Sequence, residues 1–466
     1  DVSYPEWLRY TEFNGPVDAE ISIPELVKEG NLCPHQDFIF LSLPADDEIK
    51  AIEKFKEKTK SLLMMLMEDS FLRGKVIRHP FISQPHDNLE EIYSNPEVYS
   101  AMLIYLNSAG FDIDEGHLDV IGNRDIAIPA IDEEWAETLL NYFFPVGKKE
   151  IDDPKLQSLF NRLKNQGFIY RGQVKLIHTR KLAKVLSGSS SKLASISTIV
   201  RWEFANLGQS LRMVVLTDFI RREYLVDDSE NSMPLNRIGV VPLFEKVRRV
   251  SISGLSMAVL SGSLVIVPVV ITEKIASLLP GLVKNDDFLP LRYDQRYVML
   301  RLSESIRPKI VRVMTRIFEN GDIHLLIGTK SLLGEGWDAP AINALVLASV
   351  VGSFVTSNQM RGRAIRSQPS NPGKTANIWH LACVDPGEGG GGNDLMMLRR
   401  RFKTFVGLSQ KFDEIENGLH RMGIPFELFD QSAVESSNAT MHLLSLQRDM
   451  LRGKWDRGLV KGRMVF

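Results

Sequence analysis

Arg307-Pro-Lys-Ile-Val-Arg-Val-Met-Thr-Arg-Ile-Phe-Glu-Asn-Gly-Asp-Ile-His-Leu-Leu-Ile327 contains both halves of a repeating pattern. Residues 307–320 carry apolar side chains at helical spacing, and Gly321 supplies the C-terminal stop. Residues 323–327 then form a short apolar run, the signature of a strand buried on both faces. The same kind of run precedes it at Leu211-Arg-Met-Val-Val-Leu-Thr217, 263–271 and 297–302, and follows it at 342–347 and 376–382. Strands alternating with amphipathic helices predict an α/β domain with a parallel sheet, beginning at about Ser187 and running to 386.

Outward from this domain the pattern changes. Residues 46–186 show helical periodicity without a run of strands, and are expected to form a helical accessory domain. Residues 1–45 hold short apolar pieces and several prolines, and do not read as the start of a self-contained domain. Pro386-Gly-Glu-Gly-Gly-Gly-Gly-Asn393 breaks the α/β pattern as a flexible loop, and 387–466 is expected to be that loop plus a helical tail.

Composition removes several classes. The 466 residues are 44% hydrophobic and 24% charged, as in globular proteins and unlike disordered or collagenous chains. With 56 Lys plus Arg against 58 Asp plus Glu, electrostatic recognition has to come from local clustering. Two cysteines, Cys33 and Cys383, exclude a disulfide framework and a Cys-rich metal site. The uncharged stretches 251–272 and 339–360 contain serines, asparagines, glycines and proline. They read as strands with turns, so no membrane partner and a reducing, cytoplasmic setting are expected. The histidines, including His79, His86, His178 and His380, are scattered and read as structural, and no metal site is expected.

Two segments carry chemistry. In Ile327-Gly-Thr-Lys-Ser-Leu-Leu-Gly-Glu-Gly-Trp-Asp-Ala-Pro340, glycines let the backbone approach a phosphate, and Asp338 can accept from a ribose hydroxyl. In Ser357-Asn-Gln-Met-Arg-Gly-Arg-Ala-Ile-Arg366, Arg363 and Arg366 are three apart and are expected to share a helix face, with Gly362 leaving it open. Two guanidiniums on one spot, with Gln359 beside them, suit a polyphosphate whose charge grows during transfer.

These segments resemble motifs V and VI of superfamily 2 helicases of the DEAD/DEAH and type III restriction-like kind. Gln359, Gly362, Arg363 and Arg366 match Gln-x-x-Gly-Arg-x-x-Arg, and Thr329, Gly336 and Asp338 match motif V. The Thr-to-Asp spacing is one residue longer than in DEAD-box proteins. The stretch 211–218 looks like motif IV, and 258–263 like the next strand and its nucleic-acid-facing loop.

The resemblance implies a RecA-like helicase C-terminal domain with a helical insert, working on ATP and Mg²⁺ with a first helicase domain supplied in cis. Residues 1–45 would then be the segment trailing that first domain. Arg363 and Arg366 would be the catalytic arginine fingers, and Gly336, Asp338, Gln359 and Gly362 would bind ATP. Thr217, Ser261, Ser263 and Thr329 would face nucleic acid, DNA rather than RNA. A motor that translocates on duplex without unwinding it, or a non-catalytic binding module on the same scaffold, remains compatible with these residues.

A phosphate-binding loop of the form Gly-x4-Gly-Lys-Ser/Thr is missing from the sequence, as is an Asp-Glu box for Mg²⁺. Gly373-Lys374-Thr375 has Gln368 where the first glycine belongs and precedes a strand, so it is a decoy. The chain alone is therefore expected to be inactive on ATP. Residues 154–202 contain ten Lys or Arg and no acid, which predicts a nucleic-acid surface including Lys175, Arg180, Lys181 and Lys184. Phe160, Phe168 and Tyr170 interleave with these cations as candidate stacking residues, with core packing the alternative.

Overall fold

The computed structural model of the protein describes residues 21–121, 127–144, 151, 153–170, 172–176, 185–186, 188–226, 231–331, 337–348, 354–386, 391–403, 405–424 and 429–461. The chain divides into two compact units, one of residues 1–45 with 186–466 and the other of residues 46–185.

The first strand, β1 (His35–Ser42), precedes the helical unit in sequence. That unit is built on helices Asp46–Glu68, Ser70–Ile77, Pro96–Ser108, Glu133–Phe143 and Pro154–Gln166, with a short hairpin of β2 (Ile169–Tyr170) and β3 (Gln173–Val174). Aspartates start several of these helices by accepting otherwise orphaned backbone N–H groups: Asp69 from Leu72 at 2.9 Å and Asp132 from Trp135 at 2.9 Å. Gly167, at φ +88°, ends the last helix in the left-handed conformation that glycine adopts without strain. The unit has its own apolar core, including Leu66, Leu72, Tyr105, Leu140 and Leu163. Phe160 and Phe168 pack in this core, so they are not stacking platforms for bases.

The remaining strands belong to the other unit: β4 (Met213–Thr217), β5 (Met257–Leu260), β6 (Val265–Pro268), β7 (Phe288–Leu291), β8 (Asp294–Leu300), β9 (Leu325–Thr329), β10 (Ala344–Leu347) and β11 (Ala376–Cys383), followed by a hairpin of β12 (Gly407–Leu408) and β13 (Ile415–Glu416). Among the described residues eight of them form one nine-stranded sheet with β1, in the order β1-β11-β10-β4-β9-β5-β6-β8-β7. From β1 to β5 every pairing is parallel.

Alternation along each central strand feeds two separate cores. Met213, Val215, Leu325, Ile327 and Val346 face one, and Val214, Leu216, Leu326, Leu345 and Leu347 face the other. Helices Ser191–Leu207 and Val240–Val250 cover the first face, and Arg307–Glu319 and Phe354–Ala364 contribute to the second. The α/β sheet expected from the apolar runs is present.

Three features differ from the sequence reading. First, the sheet is mixed, because β6, β8 and β7 are antiparallel. Only residues 261–264 join β5 to β6, far too few for the crossover that parallel strands need. Secondly, residues 35–42 of the 1–45 segment belong to the sheet of the α/β domain, since β1 pairs with β11 from His35↔Ala376 to Ser42↔Cys383. Thirdly, 392–461 is no appended tail. Leu398, Phe402, Leu419, Met422 and Met441 lie in the first core, although residues 387–390 of the glycine-rich loop fall outside the described residues.

One buried carboxylate ties these parts together. Glu203 accepts from Trp379 Nε1 at 2.7 Å, Asn377 Nδ2 at 2.9 Å and Arg448 Nη2 at 2.7 Å. It thereby joins helix Ser191–Leu207, β11 and the turn before the last helix. Replacing Glu203 with Gln removes the charge opposite a buried guanidinium, which costs about 3–5 kcal/mol when one partner of a buried pair is lost. Urea denaturation of Glu203→Gln is expected to show a loss of that size. A loss under about 1 kcal/mol would contradict the burial of the pair.

Candidate functional site

The two chemistry-bearing segments meet at the end of helix Phe354–Ala364, on the edge of the sheet where β10, β11 and β1 begin. Trp337 is buried, and its Nε1 donates to Thr315 Oγ1 at 2.7 Å, which holds the backbone next to Asp338. Arg366 Nη1 reaches Asp338 Oδ1 at 2.5 Å, with both side chains about half exposed. Arg363 lies half-buried in the last turn of the helix. Burial pulls its guanidinium below its usual value, the like charge of Arg366 adds to that, and Asp338 opposes it, so the three groups share one field.

The shared helix face is corrected by the structure. The helix ends at Ala364, and Arg366 lies beyond it in an isolated bridge with Leu32. Cys33 N–H donates to Ile365 O at 2.7 Å, so pairing with the segment before β1 draws the chain out of the helix. Gln359 is exposed on the helix, and the space where a Gly362 Cβ would stand is open. Gly336 lies outside the described residues.

Two buried side chains fix this arrangement, and neither was assigned a role from the sequence. Lys374 of the decoy motif is 4% exposed, and its Nζ donates to Pro340 O at 2.5 Å and Arg366 O at 2.6 Å. It thus clamps the Asp338 segment to the Arg366 segment. Arg361, between Gln359 and Gly362, is buried on Asp37 of β1, donating from Nε at 3.1 Å and from Nη2 at 2.8 Å.

Asp37 also accepts from Arg421 Nη2 at 2.7 Å and lies 3.1 Å from His380 Nε2. Burial alone would raise the Asp37 carboxyl, but Arg361 and Arg421 outweigh it and hold it well below the usual carboxylate range. Burial, reinforced by Arg361, pushes His35 down to about 3, and burial lowers His380, so both rings are neutral near pH 7. The only hint in the sequence is a lone aspartate inside the otherwise apolar run 37–41.

Of the residues expected to face nucleic acid, Thr217 and Thr329 are brought together as register partners at the C-terminal ends of β4 and β9. Both are buried. Thr217 Oγ1 has no partner among the described residues, and Thr329 Oγ1 accepts from Ser331 Oγ at 3.4 Å. Lys330, beside them, pairs with Asp218 at 2.9 Å. Ser261 is buried, and its hydroxyl is used within the β5–β6 turn, where it accepts from Leu264 N–H at 3.0 Å. Ser263 is exposed, and its carbonyl accepts from Arg222.

In the acid-free stretch, Lys175 is ion-paired with Glu137 at 3.2 Å and Lys192 is buried against Asp394 at 2.6 Å. Arg180, Lys181 and Lys184 lie outside the described residues. Among the described residues no group of three or more His, Cys, Asp or Glu is placed to hold a metal ion, and no helix is long and apolar enough to cross a membrane.

No family model matches the chain, and no curated protein matches it. Several solved structures are similar in part. The DUF1998 helicase MrfA bound to DNA and AMPPNP is 17% identical, with 42% of this chain and 19% of that chain covered and a TM-score of 0.24. The C-terminal part of the Fun30 ATPase domain is 8% identical, with 89% and 99% covered and a TM-score of 0.29. The Pyrococcus furiosus Hef helicase domain is 14% identical, with 82% and 63% covered and a TM-score of 0.29.

The Lys374 clamp carries a pH signature. Burial pushes its ammonium down from the usual 10.5 to about 8. Between about pH 8 and 10.5 the unfolded chain binds the extra proton, so this contribution to stability is complete above that window and is lost as the pH falls to about 8. Relative to Lys374→Met, the parent is expected to gain up to about 2 kcal/mol between about pH 8 and 9.5 in urea denaturation. Parallel pH profiles for the two proteins would contradict the buried clamp.

Proposed function

We propose that this chain is the arginine-bearing part of an ATP-dependent superfamily 2 motor acting on nucleic acid, DNA rather than RNA. The observation that carries the reading is the convergence of Asp338, Arg363 and Arg366, from segments with motif V and motif VI spacing, at the edge where the parallel strands β10, β11 and β1 begin.

In this reading ATP lies between the α/β domain and a second one supplied in cis, which provides the phosphate-binding loop and the carboxylates for Mg²⁺. Arg363 and Arg366 stabilise charge that develops on the transferring phosphoryl group. Asp338 holds Arg366 in place until nucleotide arrives, then accepts from the ribose. Thr217, Thr329 and the neighbouring Lys330 belong to the nucleic-acid track at the C-terminal sheet edge. Domain closure over ATP assembles the site, and opening resets it.

Two outcomes test this. The isolated chain, assayed for phosphate release with and without DNA, is expected to stay at background, because the phosphate loop and metal ligands supply most of the stabilisation in phosphoryl transfer. DNA-stimulated turnover that co-purifies with it would contradict the division of labour. In a motor assembled with the complementary domain, Arg363→Ala and Arg366→Ala are each expected to lower kcat by about 10³–10⁵ while nucleotide affinity changes far less. Lys at either position should rescue little, since it lacks the planar fork. A kcat within about tenfold of the parent for both variants would remove the arginine-finger role.

A further inference from the structure

The helical unit has a groove of about 520 Å³ between helices Asp46–Glu68 and Pro154–Gln166. Lys54 and Lys58 stand one turn apart on the first helix, and Arg162 and Gln166 one turn apart on the second, so each pair lies along one face. Glu57 is the one carboxylate in the lining, Ser61 adds a hydroxyl, and Leu62 and Met65 complete it. Three cations against one anion make the groove positive.

Other cations of this unit are already engaged. Lys75 pairs with Asp153 at 2.8 Å, Lys175 with Glu137 at 3.2 Å, and Lys155 sits over the Phe71 ring at 5.2 Å. Lys54, Lys58 and Arg162 are exposed and have no ion-pair partner among the described residues.

We infer that this groove binds the phosphodiester backbone of a nucleic-acid strand. The inference rests on the reading of the chain as a nucleic-acid motor, and it adds a contact surface in the helical unit, apart from the sheet edge. Ammonium and guanidinium groups on both walls suit a chain of phosphates, with Arg162 offering a two-pronged donor and Gln166 an amide N–H. No aromatic ring lines the groove, so bases find nothing to stack on and binding is independent of sequence. The acid-free stretch 154–202 therefore contributes through Arg162, not through the ion-paired Lys175.

The test is fluorescence anisotropy of the full chain with a labelled mixed-sequence oligonucleotide across a salt series. The triple variant K54A/K58A/R162A is expected to bind about tenfold more weakly at low salt, and the magnitude of its log–log salt slope should fall by up to about 2–3. Glu57→Gln removes the one anion and should tighten binding, a change that misfolding would not produce. Ser61→Cys carrying a thiol-reactive photo-crosslinker should couple to the oligonucleotide, since the chain's own two cysteines are buried.

A parent that binds while the triple variant matches its affinity and slope overturns the groove assignment and leaves the motor reading standing. A parent that binds no oligonucleotide overturns both. Displacement of the oligonucleotide by poly-glutamate at equal charge concentration overturns it in favour of an acidic protein partner.

Discussion

Asp37 is a fully buried carboxylate facing two fully buried guanidiniums, and the position of the candidate site depends on it. Removing such ions from water costs several kcal/mol each, an expense offset only when their hydrogen-bonding groups are met. Here Arg361 Nη2 also donates to Val406 O at 2.8 Å and Arg421 Nη1 to Leu408 O at 3.1 Å, while Arg361 Nη1 and Arg421 Nε have no partner among the described residues, so the offset is partial. The cluster can form only when β1, helix Phe354–Ala364 and the chain around 406–421 are all in place. Arg363 and Arg366, two and five residues beyond Arg361, take their positions from it. Lys374 adds a second restraint by gripping the two backbone carbonyls that flank the pair Asp338 and Arg366.

The sheet separates two surfaces, with Asp338 and Arg366 on the edge where β10, β11 and β1 begin and the strand ends on the opposite edge. Its parallel part, from β1 to β5, brings six strand ends to one edge, where Thr217 and Thr329 lie side by side. The antiparallel part, β6, β8 and β7, extends the sheet without adding a crossover to that edge. The helical unit interrupts the chain after β1 and has an apolar core of its own, so its groove is shaped by helix packing alone.

What could be read from the sequence follows from physics. β4, β9 and β10 were legible because a strand buried on both faces is a continuous apolar run, and β11 because Ile378, Trp379, Leu381 and Ala382 keep it mostly apolar around His380. β1 was not, because His35 and Asp37 break its run, and the groups that neutralise Asp37 lie more than 300 residues away in sequence. Apolar runs carry no information on strand direction, so the antiparallel edge was also missed. The arginine spacing was legible as a motif, but the helix end at Ala364 depends on pairing with Leu32 and Cys33. A basic stretch likewise does not show which charges are consumed: Lys192 is spent on Asp394, some two hundred residues downstream.

The dependence of the arginine-bearing helix on a distant strand is tested most directly by hydrogen–deuterium exchange of Asp37→Asn against the parent. Loss of the buried carboxylate is predicted to raise exchange together in 35–42, 354–364 and 405–422, with β4 and β9 keeping more of their protection. Unchanged protection in 354–364, or an equal loss across β4 and β9, would contradict the account.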